Sequence, residues 1–259
     1  MKPLVVVVQG PPAAGKTTVA RALAARLRLP LLAKDTVKEA LFDGLGSGDL
    51  AWSQRLGGAT YLTLLRLAEE SVELGVSVAL EGNFVCGSEF EAGLRSLAAR
   101  FVQVHCSAPL ELLSARYGSR ERHAGHGDGE RIHALRDAVE TGRHEPLDLP
   151  GETIRLDTSR PVDAEDLARR VRRAALWERL ADAVLATPGA LPEPARRAIA
   201  AGHDPPRLAP LLASVRRAPY RITDADLAGL EPDVVVEASL AAALGVALAR
   251  RRQALEAVG

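Results

Sequence analysis

The chain is poor in several things that mark particular protein classes. It has only two cysteines, Cys86 and Cys106, and they form no Cys-x-x-Cys pattern. A disulfide framework is therefore not indicated, and a reducing cytoplasm is the expected compartment. Formal net charge is zero, with 33 basic and 33 acidic residues. That balance argues against a protein whose main task is to coat nucleic acid or an anionic membrane, while leaving room for a local basic pocket. Long apolar runs are missing too. The run Leu4 to Val8 stops at Gln9-Gly10, too short for a signal peptide or a membrane span. The expectation is a soluble chain with no nucleic-acid and no membrane partner.

About half of the 259 residues are apolar, enough for one large α/β domain or a medium domain plus a small one. Leu4 to Val8 is β-branched, continuous and bounded by Gly-Pro-Pro, as a strand buried on both faces reads. Lys16 to Leu29 has helical spacing and is closed by Pro30. Leu31 to Ala33 is a second strand. Residues 36–43 and 50–74 read as helices divided by the glycine-rich segment from Gly44 to Gly48. Val76 to Leu80, Phe101 to His105 and Thr153 to Leu156 are further strands, and helices are expected over 90–100, 110–117, 130–141 and 161–173. Strands alternating with helices predict a five-stranded parallel sheet covered on both faces. Residues 174–259 carry no strand pattern except the ambiguous Val234 to Val236, and read as helices at 175–186, 193–202, 206–217, 224–230 and 232–256. Thr223 with Asp226 resembles an N-terminal capping box. The expected architecture is α/β, a P-loop NTPase fold over 1–173, followed by a small all-α domain over 174–259.

Gly10-Pro11-Pro12-Ala13-Ala14-Gly15-Lys16-Thr17 fits G-x-x-x-x-G-K-[ST] between a buried strand and a helix. Glycines let backbone N–H groups turn around phosphate oxygens without a Cβ in the way. The helix opening at Lys16 aims its positive end at the same place. Lys16 supplies a mobile charge for the β and γ phosphates, the Thr17 hydroxyl can ligate Mg²⁺, and Thr18 lies next to the α phosphate. The expected ligand is Mg-ATP. No Asn-Lys-x-Asp guanine reader is found, nor the signature of transporter ATPases.

The second strand delivers Lys34-Asp35-x-x-Lys38-Glu39 at its carboxyl end, where open sheets bind ligands. Asp35 is placed to orient and deprotonate an acceptor hydroxyl; its bland alternative is the N-cap of a helix starting at Thr36. Glu81 ends the third strand, where an acid can hold Mg²⁺ through water or contact the substrate; its bland alternative is a solvated strand end. Arg116, Arg120, Arg122, His123, His126 and Asp128 fall in a polar, glycine-rich segment. A mobile loop of that kind can close over ATP and spread charge off the transferring phosphoryl. The two histidines with Asp128 also have metal-like spacing, but nothing nearby supplies a further ligand.

Residues 1 to about 170 resemble the zeta-toxin and chloramphenicol-phosphotransferase-like group of P-loop kinases, often labelled AAA-family ATPases. The matching stretches are Gly10 to Thr18, Leu32-Ala-Lys-Asp35-x-x-Lys38-Glu39, Leu80-Glu81-Gly-Asn-Phe84, Arg116-x-x-x-Arg120-x-Arg122-His-x-Gly-His126-x-Asp128, and Leu156-Asp157-Thr158-Ser159. The resemblance implies Asp35 as the substrate-facing base, 116–128 as a lid, and Asp157, Thr158 and Ser159, on to Pro161, as the wall near the adenine. Members often carry Pro where this chain has Ala124. Residues 174–259 resemble, more faintly, the helical carboxymuconolactone decarboxylase and alkylhydroperoxidase-like fold. The resemblance rests on Trp177-Glu-Arg-Leu180, Tyr220 to Asp226 and Ala238 to Gly245. The peroxidases there use paired cysteines, which this segment lacks, so a packing or homo-oligomerisation module is expected from it.

These readings converge on an ATP-dependent phosphotransferase acting on a hydroxyl of a small molecule. Trp52, Arg55 and Tyr61 are further candidates to touch the acceptor. The rival readings are an ATP-binding regulator with little turnover and a toxin-like kinase of nucleotide sugars. Leu176, Leu180, Leu240, Leu244 and Leu248 recur at helical spacing, which is mainly a packing signal.

Overall fold

Four consecutive valines set the centre of the molecule. Val5, Val6, Val7 and Val8 are wholly buried in β1 (Leu4–Gln9). Their alternation sends Val6 and Val8 to one face, with Leu23, Leu113, Leu167 and Val171, and Val5 and Val7 to the other, with Leu64, Phe90 and Leu94. Burial on both faces of this kind is the mark of a parallel sheet between helix layers. The computed structural model describes residues 2–46, 48–119 and 131–256.

The first of two compact units spans 1–176. It follows the order β1, α1 (Lys16–Leu27), β2 (Leu31–Ala33), α2 (Lys34–Leu45), α3 (Leu50–Glu73), β3 (Val78–Gly82), α4 (Glu89–Ser96), β4 (Arg100–Ser107), α5 (Leu110–Gly118), α6 (Arg131–Glu140), β5 (Glu152–Asp157) and α7 (Ala164–Leu185). The five strands lie in the order β2-β3-β1-β4-β5, and every pair is parallel. The α/β P-loop NTPase fold expected from the sequence is therefore present. Helix α1 ends earlier than the pattern predicts, because Arg28 turns left-handed (φ 56°) and closes the last turn onto Ala24 and Ala25 carbonyls. Strand β3 starts two residues later than expected and runs through Glu81 to Gly82.

The second unit spans 177–259 and comprises the end of α7, α8 (Glu193–Ala200), α9 (Ala209–Arg217), α10 (Asp224–Leu227) and α11 (Pro232–Glu256). Val234 to Val236 are helical. The helices expected over 161–173 and 175–186 are one, α7, since no glycine or proline interrupts residues 164–185. Thr223 N–H donates to the Asp226 carboxylate at 2.8 Å, so the capping box forms. Of the five leucines expected to pack, Leu244 is in the core and Leu248 borders it, whereas Leu176, Leu180 and Leu240 are 59%, 45% and 51% exposed. Small residues win the inner face of α11: Ala238, Ala241 and Ala242 are buried, and a Cβ on Gly245 would stand 2.2 Å from the Ala200 carbonyl oxygen of α8. Helices that approach this closely leave no room for leucine at the contact. Arg196, buried, is held by Glu237 at 3.2 Å and by the Leu185 carbonyl at 3.0 Å. Residues 232–254 of α11 are long and apolar enough to cross a membrane by length and composition, a run the sequence reading passed over.

Candidate active site

The phosphate loop is shaped by backbone that side chains resist. Gly10 has φ 144°, and a Cβ there would lie 2.1 Å from the Cys106 carbonyl oxygen of β4. Gly15 is left-handed at φ 72°, and so is Ala13 at φ 63°, which stores strain of about 1 kcal/mol or more in a non-glycine residue. Helix α1 begins at Lys16, so its positive end opens onto the loop.

A cavity of about 550 Å³ lies at the carboxyl ends of β1, β2 and β3 and is lined by Pro12, Ala13, Gly15, Lys16, Thr17, Asp35 and Glu81, among others. Lys16 is only 8% exposed. Its ammonium donates to the Pro11 carbonyl at 2.7 Å. Burial pulls its pKa down to about 8, with Glu81 opposing. Glu81 is 3% exposed, and burial pushes its carboxyl above its ordinary value while Lys16 opposes. The Thr17 hydroxyl lies 3.4 Å from Glu81 Oε1. Glu81 Oε2 is buried without a hydrogen-bond partner among the described residues. A threonine hydroxyl and an orphaned carboxylate oxygen beside a phosphate loop are the hard oxygen ligands that Mg²⁺ takes. The residues fit such an ion.

Asp35 sits in the first turn of α2, whose N-cap is Ala33. The alternative role as cap of a helix beginning at Thr36 therefore falls away. Its Oδ1 lies 3.9 Å from Lys34 Nζ. Of the predicted residues, Gly10, Pro11, Ala14, Thr18, Arg116, Asp157, Thr158 and Ser159 do not line this cavity. Thr18 is exposed. Arg116 nevertheless reaches the expected adenine wall, donating to the Thr158 carbonyl at 2.8 Å, and Thr158 is in turn tied to Ser107 by its N–H at 2.8 Å. Arg120, Arg122, His123, Ala124, His126 and Asp128 lie outside the described residues, as does the metal-like spacing read there. No group of three or more metal-ligating side chains occurs among the described residues.

Helix α3 presents Ser53, Gln54, Gly57 and Tyr61 to the cavity, whereas Trp52 and Arg55 do not line it. Trp52 Nε1 instead donates to the Gly46 carbonyl at 3.0 Å, with the Arg55 guanidinium 5.6 Å from its ring centre. Burial pushes the Tyr61 phenol up to about 12.

Besides Ser53, Gln54 and Gly57 of α3, the sequence reading missed Arg143 and His144. Arg143 and His144 line the cavity from the segment after α6. His144 is buried, and its Nδ1 is 2.9 Å from the Phe84 carbonyl. A carbonyl only accepts, so Nδ1 carries the proton and Nε2 is left as an acceptor. Burial lowers the ring's pKa, which keeps it neutral near pH 7. The only signal in sequence is a basic pair after a helix, which is too common to single out.

A buried β1, a strained glycine loop, a helix opening on Lys-Thr and an acid on β3 together define a P-loop nucleotide-binding protein. The AAA domain family matches residues 5–142. A crystal structure of a candidate kinase from Chloroflexus aurantiacus J-10-fl is 35% identical with a TM-score of 0.61, covering 67% of this chain and 99% of that one. The chain belongs to the AAA domain family, as a P-loop kinase-like member. Two more distant solved structures match at 19% identity. One is shikimate kinase from Acinetobacter baumannii in complex with shikimate, with a TM-score of 0.44 over 70% of this chain and 96% of that one. The other is the APS kinase of Mycobacterium tuberculosis in complex with AMPPNP and APS, with a TM-score of 0.43 over 68% and 98%. No curated protein matches the chain.

Proposed function

We propose that the chain is an ATP-dependent phosphotransferase that transfers the γ-phosphoryl group to a hydroxyl of a small molecule. The observation that carries this reading is that one cavity is lined by Lys16, Thr17, Glu81 and Asp35 together. A pure nucleotide switch uses the first three and has little use for the fourth. Thr17 and Glu81 would hold Mg²⁺, which supplies charge neutralisation across the β and γ phosphates. Lys16 binds the same phosphates and stabilises charge as the transfer proceeds. Asp35 accepts the proton of the acceptor hydroxyl. The hydroxyl oxygen bonds to the γ phosphorus, the bond from that phosphorus to the β–γ bridging oxygen breaks, and its electron pair leaves with ADP. Arg116 and Asp157 to Ser159 belong to the nucleotide side of the site. By the family resemblance, Arg120 and Arg122 would spread charge off the transferring phosphoryl.

The test is ADP release across a panel of hydroxyl compounds, in wild type and Asp35→Asn. Stimulated turnover in the wild type is expected, with nearly normal ATP affinity in the variant and kcat lower by roughly 10²-fold. Slow turnover that no hydroxyl compound stimulates would support a regulator instead. Weakened ATP binding with unchanged kcat would place Asp35 in the nucleotide site.

A further inference from the structure

The segment after α6 is fastened to the sheet by side chains from the middle of the core. Gln9 and Gln103, 0% and 2% exposed, both reach it. Gln9 Nε2 donates to the Glu145 carbonyl at 2.9 Å. Gln103 Nε2 donates to the Leu147 carbonyl at 2.8 Å, and its Oε1 accepts from the Leu147 N–H at 3.0 Å. His105 Nε2 lies 2.9 Å from the His144 carbonyl and therefore carries that ring's proton. The Cys86 N–H donates to the Arg143 carbonyl at 3.3 Å. Buried polar groups satisfied in this way fix one geometry for the backbone they hold.

What that backbone carries is the His144 ring, 6% exposed and lining the same cavity as Lys16 and Asp35. The ring's orientation is set by its Nδ1–H, which donates to the Phe84 carbonyl. Nε2, on the other side of the ring, has no hydrogen-bond partner among the described residues. Nor is it one of the polar atoms shut off from both solvent and partner, as Gln9 Oε1 and His105 Nδ1 are. A ring this buried keeps its remaining access where it borders the cavity. Burial lowers its pKa, with Lys16, Arg143 and Lys34 pushing the same way and the Phe84 bond opposing. The cavity is thus met by a neutral nitrogen that only accepts. Ionised phosphate and carboxylate oxygens also only accept, so they cannot satisfy it. A hydroxyl can. The reacting hydroxyl gives its proton to Asp35, so the hydroxyl at His144 is a second one. A buried group placed for a ligand hydroxyl discriminates against the analogue that lacks it, because the group is then left unpaired.

We propose, resting on the phosphotransferase reading, that the phosphoryl acceptor is a polyhydroxy compound whose second, non-reacting hydroxyl donates to His144 Nε2. The first test is ¹⁵N NMR of histidine-labelled protein, with His144→Gln to assign the ring. A proton on Nδ1 and a bare Nε2 are expected at pH 7.5; a proton on Nε2 overturns the proposal and leaves the phosphotransferase reading intact. The second is ADP release from Mg-ATP with monosaccharides and inositols, each beside its monodeoxy analogues. Wild type should lose roughly tenfold or more in kcat/KM when one hydroxyl other than the phosphorylated one is removed. His144→Phe should lose that discrimination. Its KM for the parent compound should rise by the same factor, with kcat and the affinity for a non-hydrolysable ATP analogue little changed. His144→Gln, whose carboxamide oxygen accepts, should recover part of the loss. The deoxy series needs wild type alone, so it stands if His144→Phe fails to fold. Equal kcat/KM across the series, or discrimination that persists in His144→Phe, overturns the proposal. So does a fall in kcat at unchanged KM, which would put His144 on the reacting hydroxyl, or weakened analogue binding, which would put the donor on the nucleotide. A wild type that binds the analogue and is stimulated by no hydroxyl compound overturns the phosphotransferase reading, and this proposal with it.

Discussion

Replacing Lys16 with Met should make the empty protein more stable while abolishing its chemistry. The ammonium is buried, and burial pulls its pKa from 10.5 to about 8. At 1.36 kcal/mol per pH unit, holding the charged form in the fold costs about 3 kcal/mol. Methionine removes that cost and fills nearly the same volume. It also loses the bond from Nζ to the Pro11 carbonyl at 2.7 Å, a charged hydrogen bond worth about 1.5–3 kcal/mol. The net gain is on the order of 1 kcal/mol, a rise in Tm of roughly 2–4 °C for a unit of this size. The pH dependence gives the sharper test. Because the folded pKa lies below the unfolded one, the unfolded chain holds the proton more tightly. The penalty is therefore fully present below pH 8 and disappears as pH rises towards 10.5. Wild type should gain on Lys16→Met across that window. Denaturant unfolding at pH 7, 9 and 10, with phosphotransfer assayed in parallel, checks both halves. A variant that is less stable than wild type at pH 7 and shows no convergence or crossing with rising pH refutes the reasoning. Unchanged transfer by a folded variant refutes the assignment of the loop.

The other expectations follow from the same geometry. Glu81→Gln removes a buried carboxylate whose charge the fold disfavours, so thermal melting of the apo protein should rise slightly while the Mg²⁺ concentration needed for turnover increases several-fold; equal Mg²⁺ dependence would remove Glu81 from the metal site. Gly10→Ala, which drives a Cβ to 2.1 Å from a backbone oxygen, should cost about 3 kcal/mol or more, read as a fall in the urea midpoint. His105 and His144 both have pKa values lowered by burial. Their contribution should be complete above the unfolded value near 6.5 and lost as pH falls below it, and a flat urea midpoint from pH 7.5 to 5 would contradict that. A fragment of residues 1–176 should bind ATP and keep some transfer. A fragment ending at Arg173 should be less stable, since it omits Ala174 and Ala175 from the core and the Ala175 carbonyl that Arg100 holds at 2.8 Å; equal melting of the two would show that end to be dispensable.

The sequence by itself determined the sheet and the phosphate loop. Both are local: the run Leu4 to Val8, stopped by Gly-Pro-Pro, reads as a strand buried on two faces, and the glycines and Lys-Thr of the loop act through their immediate neighbours. Asp35 and Glu81 were legible for the same reason, since a residue at the end of a short strand has one place to go in a parallel sheet. Tertiary structure decided what depends on facing and distance. Which side of α3 meets the cavity turns on a rotation of one residue, so Ser53, Gln54 and Gly57 take the wall where Trp52 and Arg55 had been expected. The leucines of the tail gave a helical period but not its inner face, which the small residues of α11 take because the helices approach so closely. Arg143 and His144 come more than a hundred residues after the loop they face, and only the chain's return past β3 brings them there.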